Sequence, residues 1–224
     1  MSVYLIPFLT HNDKTVDNAL EVFKESKDAP TDYWGFKDTG IEEKKVKELL
    51  KAMKETGKTT FYESLAEVEK EALETAKFAL ELEFEYLIGM QYFESVHRLL
   101  KDKNIKFVPT CGERSGIPRM LHGSIDDVIN DGKRIQNKGV DGLCLSAYRF
   151  TGGDPEALAE RFINELDVPV IVTGSINSEH RLDVMKKLRP WAFTIGSAFF
   201  NNDFGKDLSF AEQIEKVVNH LMSY

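Results

Sequence analysis

The chain has 224 residues, 42% of them hydrophobic and 29% charged, which is long enough to bury a large core. Its 29 basic and 37 acidic residues give a formal net charge of −8 with no basic block, which argues against general attraction to nucleic acid or anionic lipid. No apolar run approaches the roughly 18 to 20 residues of a membrane span, the start "MSVYLIPFLT" lacks the pattern of a signal peptide, and Cys111 and Cys144 share no metal or redox spacing. The expectation is a soluble protein of a reducing cytoplasm.

From the first residues onward, short apolar runs alternate with longer charged segments of helical period. A strand over 3–9 leads to a helix over 16–26, whose Leu20, Val22 and Phe23 form one apolar face. Strands over 33–37 and 59–64 precede helices over 42–56 and 65–82, with Gly57 placed to stop the first of these. Strands over 86–90 and 105–110 flank a helix over 92–101. The next helix, over 125–137, opens with Ser124 before Asp126 and Asp127, a cap followed by acids in the first turn, and closes near Gly139. Strands over 142–147, 169–173 and 192–196 are followed by helices over 155–166, 179–188 and 210–222. Asp154-Pro155 supplies a cap followed by proline at the first helical position.

Eight strand-helix cycles in this length predict a single-domain α/β (β/α)8 TIM barrel over residues 1–224, with an open doubly wound sheet as the alternative. In a barrel, chemistry belongs where strands end and the following loops begin. The one long connection, "CGERSGIPRMLHGS" over 111–124, is a candidate lid carrying Glu113, Arg114 and Arg119.

Two consecutive strands, "VIVTGS" and "FTIGS", end in Gly-Ser, at Gly174-Ser175 and Gly196-Ser197. Each is either a tight turn or a place where backbone N–H groups approach an anion, and loops seven and eight of a barrel frequently form such a phosphate site. With its small-residue turn after strand seven and its "IGSA" turn after strand eight, the chain resembles the ribulose-phosphate-binding barrel superfamily. That resemblance implies a phosphate held by Gly174, Ser175, Gly196 and Ser197.

Three charges close strands two and three: Lys37 and Asp38 in "GFKDTG" and Glu63 in "FYES". A lysine beside carboxylates can exchange protons or, as a free amine, attack a carbonyl to form a Schiff base; the residues leave both open, as well as a purely structural ion pair. Arg149, after strand six, is suited to bidentate contact with phosphate or carboxylate. Thr10, His11 and Asp13 in "THND" stand at the end of strand one, with His11 a proton-transfer candidate and Asn12 or Asp13 a helix-cap candidate. No ligand spacing joins His11, Asp13, Glu63 and His122, so neither a metal nor another cofactor is expected. Lys106 in "IKFVP" resembles the Lys-Phe-x-Pro of keto-acid phosphate aldolases but falls near the start of its strand, which makes it a surface lysine.

The functional expectation is an enzyme acting on a small phosphorylated sugar or sugar acid, an isomerase, epimerase or aldolase-type lyase. Its expected partner is that small phosphorylated metabolite, without nucleic acid or membrane. The alternative is a regulatory barrel resembling the glycerol-uptake antiterminators, which binds a phosphorylated metabolite without turnover. Trp191, Phe199 and Phe200, if exposed, would mark a homo-oligomer interface.

Overall fold

The computed structural model describes residues 3–116 and 118–223. Eight parallel strands form the wall: β1 (Tyr4–Pro7), β2 (Tyr33–Lys37), β3 (Thr59–Glu63), β4 (Tyr86–Gln91), β5 (Lys106–Thr110), β6 (Leu143–Leu145), β7 (Val170–Val172) and β8 (Ala192–Ile195). From β2 onward each pairs with the next in sequence, and β1 pairs with β8 in register from Tyr4–Ala192 to Pro7–Ile195. Beyond the end of β1, a bridge between Phe8 and Gly35 and the bond from Leu9 N to Gly35 O at 2.9 Å close the seam with β2. The ring is therefore a (β/α)8 barrel and not an open sheet. Strands covered on both sides must be apolar throughout, which is why "VIV" of β7 is wholly buried.

Helices α1 (Ala19–Ser26), α2 (Glu43–Glu55), α3 (Glu69–Glu81), α4 (Glu94–Leu100), α5 (Ile125–Gln136), α6 (Pro155–Glu165) and α7 (Glu179–Leu188) surround the wall, followed by the one-turn α8 (Ser197–Phe200) and α9 (Phe210–Met222). The local signals act as expected at α5, where Ser124 and Asp127 form a reciprocal capping box, and at α6, where Asp154 accepts from Glu156 N. None of the described helices is long and apolar enough to cross a membrane.

Two starts differ from expectation for the same reason, namely that chain at the barrel mouth serves the mouth. Thr10–His11 and Lys14–Thr15 pair as a small hairpin, so α1 begins at Ala19 and not at residue 16. Asn12 and Asp13 are its two-residue turn, at φ 49° and 60°, and neither caps the helix. After β3, Ser64 N still donates to Ile88 O and Ser64 Oγ accepts from Ala66 N, which holds residues 65–68 out of helix until Glu69. A second hairpin, Glu113–Ser115 with Met120–His122, occupies the loop over 111–124.

The barrel interior is layered. At the N-terminal mouth the rings of Tyr4, Tyr33, Phe61, Tyr86 and Trp191 form one cluster, with Phe61 stacked on Tyr86 at 4.2 Å and Tyr86 on Trp191 at 5.7 Å. Ile6, Ile88, Val108 and Ile171 fill the middle. Cys111 and Cys144 are buried and unpaired, and burial pushes both thiols up from their usual range. The aromatic residues singled out as interface candidates pack within the chain: Phe199 is buried, Phe200 lies 5.1 Å from Phe210, and Trp191 belongs to the barrel floor.

Candidate active site

At the C-terminal mouth the strand ends surround a cavity of about 340 Å³. Lys37 ends β2 and Glu63 ends β3, side by side in register. The ammonium of Lys37 donates to Asp13 Oδ1 at 2.8 Å and lies 3.3 Å from Glu63 Oε1. Asp13 comes down from the turn of the first hairpin, and the Arg149 guanidinium meets its two oxygens at 3.3 and 3.4 Å. The result is an alternating row, Arg149–Asp13–Lys37–Glu63, whose Lys37 side chain is only 9% exposed. Burial alone would raise the Asp13 carboxyl, but the charge and hydrogen bond of Lys37, then those of Arg149, outweigh it and hold the group below the usual carboxylate value. Below this row Ser146 Oγ and Thr173 Oγ1 share a hydrogen bond of 3.1 Å, and Thr194 lines the same floor.

Both Gly-Ser turns line this one cavity. Gly174 and Ser175 have φ of 77° and 60°, and the backbone N–H groups of both have no acceptor among the described residues. A Cβ at Gly174 would lie 2.9 Å from Arg149 Nε, so the missing side chain is what lets the guanidinium lie against the turn. Arg181 secures the turn from α7, donating to Ser175 O and, at 2.9 Å, to Asn177 Oδ1, while its guanidinium sits 4.3 Å over the Tyr148 ring. At the other turn a Cβ on Gly196 would meet Thr10 O at 2.7 Å, and only glycine allows the end of β8 to approach the first hairpin this closely. Ser197 Oγ accepts from Asn12 N at 3.0 Å, which fastens the first hairpin to the start of α8.

The expected residues divide between this cavity and its surroundings. Lys37, Glu63, Arg149, Thr10 and the four turn residues line it. Asp38 lines a neighbouring cavity of about 710 Å³ between α2 and α3, where burial pushes its carboxyl up against an opposing hydrogen bond from Ser64. His11 turns aside to bond Asn201 Oδ1 at 3.0 Å, and Glu113 faces a third cavity beside α5. Lys106 begins β5, far from the mouth, and is ion-paired to Asp141 at 2.9 Å. Among the described residues no group of three His, Cys, Asp or Glu side chains is placed to hold a metal ion.

Sequence reasoning placed Asp13 at the rim without its role, and placed Arg114 on a candidate lid without the inward turn that brings it to the cavity. A carboxylate opposite a strand-end lysine was the available signal for Asp13. Arg114 had none, since the hairpin that turns it inward is formed by residues with little strand pattern.

No protein-family profile matches the chain, and no curated protein matches it in sequence. Solved structures match over nearly its whole length. Orotidine 5′-phosphate decarboxylase from Pyrococcus horikoshii OT3 is 12% identical with a TM-score of 0.72, covering 98% of this chain and 100% of that one. The 4-hydroxy-2-oxoglutarate/2-dehydro-3-deoxyphosphogluconate aldolase from TTHB1 is 18% identical with a TM-score of 0.64, over 97% and 94%. The tryptophan synthase alpha subunit of Campylobacter jejuni is 16% identical with a TM-score of 0.63, over 96% and 95%. At these identities the likeness is one of fold: the chain has the (β/α)8 architecture that the resemblance to ribulose-phosphate-binding barrels implied.

Proposed function

We propose that the chain is an enzyme acting on a small phosphorylated sugar or sugar acid, by isomerisation, epimerisation or aldol-type carbon–carbon cleavage. The observation that carries this reading is the single cavity shared by two Gly-Ser turns and the Arg149–Asp13–Lys37–Glu63 row. The turns and the α8 start offer backbone N–H groups to a phosphate, and anchoring that end positions the reacting carbons over the charged row. Two of the structural neighbours are named for phosphorylated substrates, the decarboxylase for orotidine 5′-phosphate and the aldolase for a phosphogluconate.

Lys37, between two carboxylates, is arranged as an ammonium that polarises or protonates a substrate oxygen, more than as a free amine. Asp13 or Glu63 is then the acceptor for a proton leaving carbon. Borohydride treatment with carbonyl substrates checks this: a reduced adduct on Lys37 would replace the acid-base role by a Schiff base.

The decisive experiment screens phosphorylated three- to six-carbon sugars and sugar acids against their unphosphorylated counterparts by thermal shift. A ligand at about 100 times its dissociation constant adds about 2.7 kcal/mol of stability. Stabilisation by phosphorylated compounds alone, with turnover lost but binding retained in Lys37→Met, supports the enzyme. Binding without turnover in the unaltered protein favours the antiterminator-like alternative, and no stabilisation by any phosphorylated compound overturns the phosphate site.

A further inference from the structure

Three arginines line the mouth cavity, and their partners differ. Arg149 is paired with Asp13, and Arg119 with Glu67 from the segment after β3. Arg114 has no carboxylate within 4.0 Å among the described residues, and the exposed Asp203 on the same rim is not among its partners. Its one bond is from Nη2 to the carbonyl oxygen of Gly89 at 3.1 Å, and its Nε is buried without an acceptor. Burial works against its charged form, opposed in part by Cys144, Glu63 and Cys111. A half-buried guanidinium with an unsatisfied buried Nε and no ion-pair partner favours an anion in the cavity it lines.

The arginine is also held in place. Its hairpin is fastened by His122, whose ring nitrogens meet Ser115 Oγ at 2.8 Å and Thr151 Oγ1 at 3.0 Å. Gly112 N donates to Asp131 Oδ2 at 2.8 Å, and Thr151 N to Leu121 O at 2.9 Å. An arginine on so anchored a hairpin is pre-organised, and a planar fork matches a carboxylate.

We infer that Arg114 is the carboxylate-binding residue of the mouth cavity, so that the substrate class is a phosphorylated sugar acid, anionic at both ends, and not a phosphorylated neutral sugar. This rests on the proposed phosphate site for the second anion, which occupies the Gly-Ser turns and leaves Arg114 for the first.

Isothermal titration of six probes tests it: 3-phosphoglycerate, glycerol 3-phosphate and glycerate, and 6-phosphogluconate, glucitol 6-phosphate and gluconate. In the unaltered protein at least one phosphorylated acid binds tenfold or more tighter than its phosphorylated alcohol. Arg114→Gln brings that pair to within threefold by weakening the acid alone, and Arg114→Lys, which keeps the charge, retains part of the difference. Should Arg114→Gln fail to fold, judged by its unliganded melting temperature, the acid-to-alcohol ratios of the unaltered protein and Arg114→Lys decide. Equal binding of acid and alcohol phosphates overturns the inference and leaves the phosphate site standing. Unphosphorylated acids binding as tightly as phosphorylated ones, with the loss in Arg114→Gln, keep the carboxylate clamp and overturn the phosphate site. Binding of none of the six overturns both.

Discussion

The two mouths of this barrel are built from the same eight strands and solve opposite problems. The N-terminal mouth is sealed by five aromatic rings, with neighbouring centroids between 4.2 and 6.3 Å apart, and contains almost nothing that can react. The C-terminal mouth is left open over a row of four charges and two glycine turns. Rings bury area and need no partners beyond one another. Charges can be held this close and this dry only in compensating order, and the row supplies it. Aromatic packing is thus concentrated at one end and the charged and backbone binding groups at the other, as the division of labour in such barrels requires.

The largest test of that contrast is Lys37→Met. It leaves Asp13 and Glu63 facing each other without their shared cation, and an unliganded loss of about 3 kcal/mol is expected in urea titration. Turnover of the substrate identified by the thermal screen should fall by about 10²- to 10⁴-fold in steady-state kinetics. At the opposite mouth, Trp191→Ala should cost roughly 2 to 3 kcal/mol, somewhat less than a fully buried aromatic because Trp191 is half-buried. Its ligand affinity and kcat should stay within about twofold of the unaltered protein, since Trp191 packs at the opposite mouth and does not line the cavity. A comparable loss of activity in Trp191→Ala would break the comparison.

Gly174→Ala sharpens it within the reactive mouth. The left-handed backbone at φ 77° and the approach to Arg149 both oppose a methyl group. A roughly tenfold weaker affinity for phosphorylated ligand is expected by titration, from displaced donors, with unphosphorylated analogues unaffected.

The smallest effects are those of pH, and they have opposite signs for two neighbouring carboxyls. Asp13 titrates below its ordinary value of 3.8 when folded, so its contribution is present above that value and is lost as pH falls through the folded one. Asp38 titrates above 3.8 when folded, so its contribution is present below that value and is lost as pH rises through the folded one. Urea midpoints at pH 3.5 and 7 therefore separate the variants: Asp13→Asn should lose stability relative to the unaltered protein mainly at pH 7, whereas Asp38→Asn should gain there.

Much of the barrel was legible along the chain. Each strand is short, apolar and bounded, and caps such as Ser124 and Asp154 act within three residues of themselves, so their signals survive in the sequence. The Gly-Ser turns were legible for the same reason. Leu65 to Val68 was not, because its helical pattern is overridden by the continuation of β3 at Ser64.

What the sequence determined by itself, then, was the succession of elements and the end of the barrel where charge collects, since both follow from periodicity and from residues close in the chain. Which charges meet was decided only by tertiary structure. Asp13 and Arg149 are 136 residues apart, and two small hairpins with weak strand character turn Asp13 toward Lys37 and Arg114 into the mouth cavity, while Asp38, next to Lys37 in sequence, points its chemistry into another cavity. Successive residues of a strand face opposite sides of the wall, so adjacency along the chain separates Lys37 from Asp38 just as closure of the ring joins Lys37 to Asp13.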